Sequence, residues 1–199
     1  MSEVRSPLRP AITGVVLAGG MGSRMGGVDK GLQPFAGRPL VAHVIERLAP
    51  QVDTLLINAN RNPAVYAAFG YPVVADAIAG FAGPLAGLHA ALAAAATPLV
   101  ATAPCDSPRL PVDLVCRLLA ELTANDAQIA VARTGNQPHP VFCLCRRELL
   151  DDLTAYLQAG ERKFERWYQP LAAVDVDFSD VADAFANINT IEELQRLGG

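Results

Sequence analysis

A run of β-branched and apolar residues, Ile12-Thr13-Gly14-Val15-Val16-Leu17, leads directly into a stretch with glycine at positions 19, 20, 22, 26, 27 and 31. The run reads as a buried strand. Residues 39–49, with apolar side chains at helical spacing, read as the helix that follows. A strand that reaches its helix through so many glycines brings backbone close to something. Glycine lacks a Cβ and tolerates positive φ, so consecutive N–H groups can converge on an anion. The stretch also carries Arg24, Asp29 and Lys30, and Lys30 is one of two lysines in a chain with fourteen arginines. A phosphate-cradling loop is favoured over a flexible surface turn, which needs no cations among its glycines.

Two familiar phosphate loops do not fit. A P-loop requires Gly-Lys followed by Ser or Thr, whereas Lys30 stands between Asp29 and Gly31. The dinucleotide fingerprint requires a third glycine where this chain has Met25, and Asp76 lies too far downstream for the ribose-binding acid of that fold.

Strand and helix patterns alternate along the rest of the chain. Residues 54–57, 73–75, 99–103, 128–132, 141–145 and 172–176 read as strands. Residues 63–69, 84–95, 111–122, 148–158 and 161–167 read as helices, and Thr190 reads as the cap of a last one. Such alternation predicts an α/β fold, a mostly parallel sheet covered on both faces. Ligands of these sheets sit beyond the carboxyl ends of the strands. The residues just past successive strand ends are the glycine loop, Asn58, Asp76 and Asp106, so all four sets are expected to face one crevice.

Composition sets bounds on partners. At 199 residues, one domain is expected, long enough to bury roughly 70% of its unfolded surface. The net charge of −4 argues against general nucleic-acid binding, yet residues 1–47 carry +3 against −7 for the remainder. That distribution suits a small anionic ligand. Cys105, Cys116, Cys143 and Cys145 have no zinc spacing and read as buried free thiols. No apolar signal region opens the chain, and the long apolar run 84–103 contains His89, Thr97 and Pro98. It reads as helix then strand, and a cytoplasmic protein is expected.

For several residues two readings stay open. Asp106, between Pro104 and Pro108, suits a magnesium ligand on a nucleotide site, or a turn and helix cap. Asp76 accepts from a base or ribose, or solvates a loop. Asn58 and Asn60 read a base edge or are ordinary loop residues. Lys30 and Arg24 neutralise phosphate charge, or are exposed surface cations. His89 reads as a packed core histidine. His139, before Pro140, lies near a substrate or in a turn.

Leu17-Ala18-Gly19-Gly20, then Ser23-Arg24-Met25-Gly26, then Asp29-Lys30-Gly31 is similar to the signature loop of the molybdenum cofactor guanylyltransferases. More broadly it resembles nucleotidyltransferases that move a nucleoside monophosphate onto a phosphorylated acceptor. Asn58-Ala59-Asn60-Arg61, Gly83-Pro84-Leu85-Ala86-Gly87, Pro104-Cys105-Asp106 and Asn187-Ile188-Asn189-Thr190 resemble further motifs of that family, in order. Gln158-Ala159-Gly160-Glu161-Arg162 and Asp175-Val176-Asp177-Phe178 also look like family segments, so the similarity spans nearly the whole chain. Ile191 departs from the proline more usual after Asn-Thr, which touches only the start of the last helix.

The resemblance implies a three-layer α/β/α, Rossmann-like fold of the nucleotide-diphospho-sugar transferase type. It implies transfer of GMP from GTP to the terminal phosphate of Mo-molybdopterin, with release of pyrophosphate. GTP contacts would be Leu17, Ala18, Gly19, Lys30, Asn58, Asp76 and Asp106, with Mg²⁺ on Asp106. Lys30, Arg24 and Asp106 would carry the chemistry. The C-terminal half, with His139, Arg162, Lys163, Asn187 and Asn189, would face the molybdopterin. Other proteins of the cofactor pathway are implied partners; a monomer is expected, with neither nucleic acid nor membrane.

The nearest rival is the cytidylyltransferase of the same pathway, whose loop typically reads Leu-Ala-Ala-Gly and which lacks the Pro-Leu-Ala-Gly of residues 84–87. A catalytically silent nucleotide-binding scaffold is a rival of another class, and the presence of Lys30 and Asp106 argues against it. A site built to hydrogen-bond one base rejects another because its polar groups are left unpaired. GTP is therefore expected to raise the melting temperature at concentrations well below those needed of CTP. Equal or better stabilisation by CTP would transfer the assignment to the cytidylyltransferase.

Overall fold

The structure, a computed structural model, describes residues 9–18, 29–78 and 83–186. Gly19, Arg24, Asn187, Asn189 and the helix expected after Thr190 lie outside these residues. Strand β1 (Ile12–Leu17) is buried along its whole length. A 3₁₀ turn, Lys30–Leu32, and a small hairpin of β2 (Pro34–Phe35) and β3 (Arg38–Pro39) lead into α1 (Leu40–Leu48). The chain continues through β4 (Thr54–Asn58), α2 (Pro63–Ala67), β5 (Val73–Val74), α3 (Pro84–Ala94) and β6 (Leu99–Pro104). Then come α4 (Leu114–Ala124), the hairpin β7 (Ile129–Thr134) and β8 (Gln137–Arg146), α5 (Leu150–Gln158), α6 (Phe164–Tyr168) and β9 (Ala173–Asp177). A 3₁₀ segment, Ser179–Phe185, follows.

Among the described residues, seven strands form one sheet in the order β5-β4-β1-β6-β8-β7-β9. Every pairing is parallel except those of β8, which runs antiparallel to both β6 and β7. The two-residue period of the strands separates their side chains onto two cores. Ile12 and Val16 of β1 pack with Ala101 and Ala103 of β6 under Val41, Val44, Leu48, Leu114 and Leu118 of α1 and α4. Val15 and Leu17 pack with Val100, Val131 and Cys143 under Leu88, Leu92, Leu153 and Trp167 of α3, α5 and α6. Helices on both faces make the expected three layers.

Helix patterns match their positions. In α1 the buried residues Leu40, Val41, Val44, Ile45 and Leu48 form a single stripe, as a helix lying on a sheet requires. Helix α3 buries every residue from Leu85 to Leu92, because it is covered by the sheet on one side and by α5 on the other. Among the described residues, no helix is long and apolar enough to cross a membrane.

Some boundaries differ from the sequence reading, for local reasons. Helix α4 starts at Leu114 instead of Pro111, because the Gln51 side chain reaches across. Its Oε1 accepts from Val115 N–H at 2.9 Å, and its Nε2 donates to the Pro111 carbonyl at 2.9 Å. Strand β8 begins at Gln137, earlier than expected, and so includes Pro138 and Pro140. Its pairing with β6 covers only residues 143–146, so both prolines lie where no donor to β6 is missed. Helix α6 starts at Phe164, after Lys163 with extended dihedrals. Of the cysteines expected to be buried, Cys116 is exposed on α4, while Cys105, Cys143 and Cys145 are buried free thiols.

His89 of α3 is 7% exposed, and its Nε2 lies 2.9 Å from Thr154 Oγ1 of α5. Burial lowers its pKa below the ordinary 6.5, against a smaller opposing pull from Asp76. Burial lowers His139 in the same direction. Between the depressed folded value and 6.5 the unfolded chain binds more protons. The stability involved is present above 6.5 and is lost as pH falls through the folded value. The melting temperature is expected to fall on acidification through that window. His89→Gln, which keeps a donor for Thr154, is expected to flatten part of the slope in a thermal-shift pH series.

Candidate active site

The strands that carry the candidate residues end in register. Leu17 at the end of β1 is paired with Asn58 on β4 and with Pro104 on β6, and Asn58 is in turn paired with Val74 on β5. Backbone bonds continue past the strand ends. Ala18 N–H donates to the Asn58 carbonyl at 2.8 Å, Cys105 N–H to Leu17 at 3.1 Å, and Ala59 N–H to Val74 at 2.9 Å. The backbone of Leu17 and Ala18 is therefore fixed on both sides where the glycine stretch begins.

On the β4 side lies a closed polar cluster. Asn58, 2% exposed, donates from Nδ2 to Asp76 Oδ1 at 2.9 Å and to the Val74 carbonyl at 3.2 Å. Asn60 Nδ2 donates to Asp76 Oδ2 at 2.7 Å, and Asp76 N–H returns a bond to Asn60 Oδ1 at 2.8 Å. Three of the residues read from strand ends are thus one hydrogen-bonded unit. Helix α3 closes over it at Gly87, where a Cβ would stand 2.5 Å from Asn58 Oδ1 and 2.9 Å from Leu17 Cδ2.

On the β6 side, Lys30 Nζ donates to Asp106 Oδ2 in an ion pair whose side chains are only 19% and 13% exposed. The other carboxylate oxygen, Asp106 Oδ1, is buried without a hydrogen-bond partner among the described residues. A buried carboxylate oxygen left unsatisfied is costly, so this atom is available to a ligand. Cys105, beside the pair, has its thiol pKa raised by burial and then by the Asp106 charge, so it stays protonated and inert.

The sequence gave no cue to the support beneath Lys30. The carboxylate of the preceding residue, Asp29, accepts from the Tyr66 hydroxyl at 2.5 Å and from Asn62 Nδ2 at 3.0 Å. Tyr66 is fully buried on α2, where helical spacing alone marks it as core.

The candidates of the C-terminal half fall on opposite faces of the sheet. His139 pairs with Ala132 on the α4 face, stacks on Phe185 with ring centroids 4.9 Å apart, and lies 2.8 Å from Thr134 Oγ1. Lys163 is exposed at the start of α6 on the α3 face, next to Arg162, and its carbonyl accepts from Tyr156 OH at 2.9 Å.

A parallel sheet with polar groups gathered at the carboxyl ends of β1, β4, β5 and β6 defines a nucleotide-transferase architecture. The MobA-like NTP transferase domain matches residues 14–174. The chain is 54% identical over 195 residues to the molybdenum cofactor guanylyltransferase of Ralstonia nicotianae, covering 94% of this chain and 95% of that protein. It is 52% identical over 190 residues to that of Bordetella petrii, covering 94% and 96%. In fold it is similar to the molybdopterin-guanine dinucleotide biosynthesis protein A of Archaeoglobus fulgidus, with a TM-score of 0.79 at 22% identity over 94% of this chain and 96% of that one. The chain belongs to the MobA-like NTP transferases and, within them, to the molybdenum cofactor guanylyltransferases.

Gly87 gives a test of the closed cluster. Replacing a helix-interior glycine by alanine gains up to about 1 kcal/mol in propensity. Overpacking against Asn58 costs about 1–3 kcal/mol, so steric conflict wins. Gly87→Ala is expected to melt a few degrees below the parent; an unchanged or higher melting temperature would show that Asn58 has room to yield.

Proposed function

We propose that the chain transfers the GMP moiety of GTP to the terminal phosphate of Mo-molybdopterin, forming the guanine dinucleotide cofactor. An acceptor phosphate oxygen attacks the α-phosphorus, and the bond to pyrophosphate breaks. The acceptor is already an anion, so no general base is needed. Catalysis rests on alignment and on placing positive charge where negative charge develops. The family assignment supports the reaction, and the Lys30–Asp106 pair at the carboxyl ends of β1 and β6 supports its location.

Roles follow from the two polar clusters. Lys30, a positioned ammonium, neutralises the triphosphate and stabilises the departing pyrophosphate, with Arg24 as the second cation. The backbone from Leu17 and Ala18 into Gly19 approaches the nucleotide. The Asn58–Asp76 unit meets the guanosine, its amide and carboxylate already oriented by their mutual bonds. In this reading the N-terminal half of the single domain binds GTP. The C-terminal half, with His139, Arg162, Lys163, Asn187 and Asn189, receives the molybdopterin.

The residues present fit a magnesium ion. Among the described residues, no group of three or more His, Cys, Asp or Glu could enclose a metal. Mg²⁺ on a nucleotide needs little more than one or two carboxylates, since phosphate oxygens and water complete its shell. Asp106, with Oδ1 lacking a partner, would hold it, and the ion would supply further positive charge at the phosphates.

Single-turnover kinetics test these roles. Lys30→Ala is expected to lower kcat by about 10²–10³-fold, the scale for losing one preorganised electrostatic group. GTP affinity should weaken less than the rate. Lys30→Arg should not restore it, since a planar fork does not replace a compact ammonium. Asp106→Asn is expected to abolish most transfer with the fold intact. A raised KM with unchanged kcat in Lys30→Ala would reduce the lysine to a uniform binding contact.

A further inference from the structure

We propose that Asp29, Tyr66 and Asn62 form a latch that positions Lys30, so that helix α2 controls the rate of transfer through the lysine. This inference rests on the reading of Lys30 given above and adds the residues that aim it. Both ends of Asp29 are engaged. Its carboxylate takes the Tyr66 hydroxyl at 2.5 Å and Asn62 Nδ2 at 3.0 Å. Its carbonyl accepts from Leu32 N–H at 3.3 Å and from Gln33 Nε2 at 3.2 Å. The backbone from which the Lys30 side chain springs is therefore tied to α2 on one side and to its own 3₁₀ turn on the other.

The donors are themselves held. Tyr66 has no exposed surface and packs in the core under α1 and α4. Burial and the hydrogen bond to Asp29 push its phenol well above the ordinary range, so it remains a donor. Asn62 precedes α2 in the left-handed conformation at φ 49°, which asparagine adopts more readily than most residues. Gly31 provides the space for this contact. A Cβ there would stand 2.6 Å from the Tyr66 hydroxyl and 3.2 Å from Cys105 Sγ. In the sequence Asp29-Lys30-Gly31, one residue anchors, the next acts and the third leaves room for the anchor.

A lysine has a long flexible stem, and its charge is useful to a transition state only where its Cα is fixed. A misplacement of about 1 Å far from the chemistry can cost about 10²-fold in rate. Tyr66 lies on the helix that follows β4, whose end carries Asn58. The same chain segment that leaves the guanosine-facing cluster thus sets the position of the phosphate-facing cation.

Tyr66→Phe removes the hydroxyl and keeps the packing; Asp29→Ala removes the acceptor instead. Each is measured by single-turnover transfer from GTP with Mg²⁺ and molybdopterin, alone and combined with Lys30→Ala, with melting temperatures alongside. Tyr66→Phe is expected to lower kcat about 10-fold or more with KM for GTP changed less than about twofold, since only positioning is lost. In the Lys30→Ala background neither change should slow the enzyme further, because what the latch aims is gone. Should Lys30→Ala be slow while Tyr66→Phe keeps the parent kcat, the latch is overturned and the lysine's role stands. Full additivity in the double variants would likewise overturn it, making Tyr66 a generic core residue. Should Lys30→Ala itself turn over at the parent rate, the reading of Lys30 falls and the latch with it.

Discussion

Parallel pairing of β1 with β4 on one side and β6 on the other is the constraint on which the site depends. It aligns Leu17, Asn58 and Pro104 at one edge, so polar residues from three distant stretches emerge within one crevice. The two ends of β1 are satisfied differently. At the amino end, Thr13 Oγ1 lies 2.9 Å from Thr54 Oγ1 and 2.7 Å from Thr97 Oγ1, a neutral hydroxyl network suited to a closed edge. At the carboxyl end stand amides, carboxylates and an ammonium, suited to a charged guest. Between them the strands are apolar on both faces, as a doubly covered parallel sheet requires.

Asn58, Asp76 and Asp106 were legible in the sequence because a parallel sheet puts successive strand ends on one side, and each follows an apolar run. Their partners were not legible. Lys30 and Asp106 lie 76 residues apart, and no local pattern pairs them. Gly87 was visible within a motif, but the reason for its missing Cβ is the proximity of Asn58 on another element. Tyr66 and Gln51 left no signal, since one resembles core and the other a surface amide until the neighbouring helix is in place. Pro138 and Pro140 argued against strand, and only the short reach of β6 explains why they are tolerated.

The C-terminal half is organised by the reversal at β8. It brings the turn between β7 and β8 back to the edge where β1 and β6 end, and leaves β9 parallel to β7 beyond it. Arg117 lies 4.0 Å above the Phe178 ring and pairs with Asp180 at 2.9 Å, which holds the 3₁₀ segment down on α4. Phe142, Phe178 and Phe185 then form an aromatic floor that His139 joins by stacking. His139 is therefore shaped by the core as much as by any ligand.

The separation of Lys30 from Asp106 has a consequence for how the protein assembles. Closing a loop of 76 residues costs roughly 4 kcal/mol in chain entropy from its length dependence alone. A single partly exposed ion pair does not supply that much. Pairing of β1 with β6 closes the loop, and the ion pair forms on a frame already made. The Asn58–Asp76 contact spans 18 residues and the β7–β8 hairpin is more local still, so both close at lower entropic cost. The phosphate side of the crevice is thus the part of the site that requires the most complete fold, and partial unfolding that frees β6 from β1 would remove it before the guanosine side.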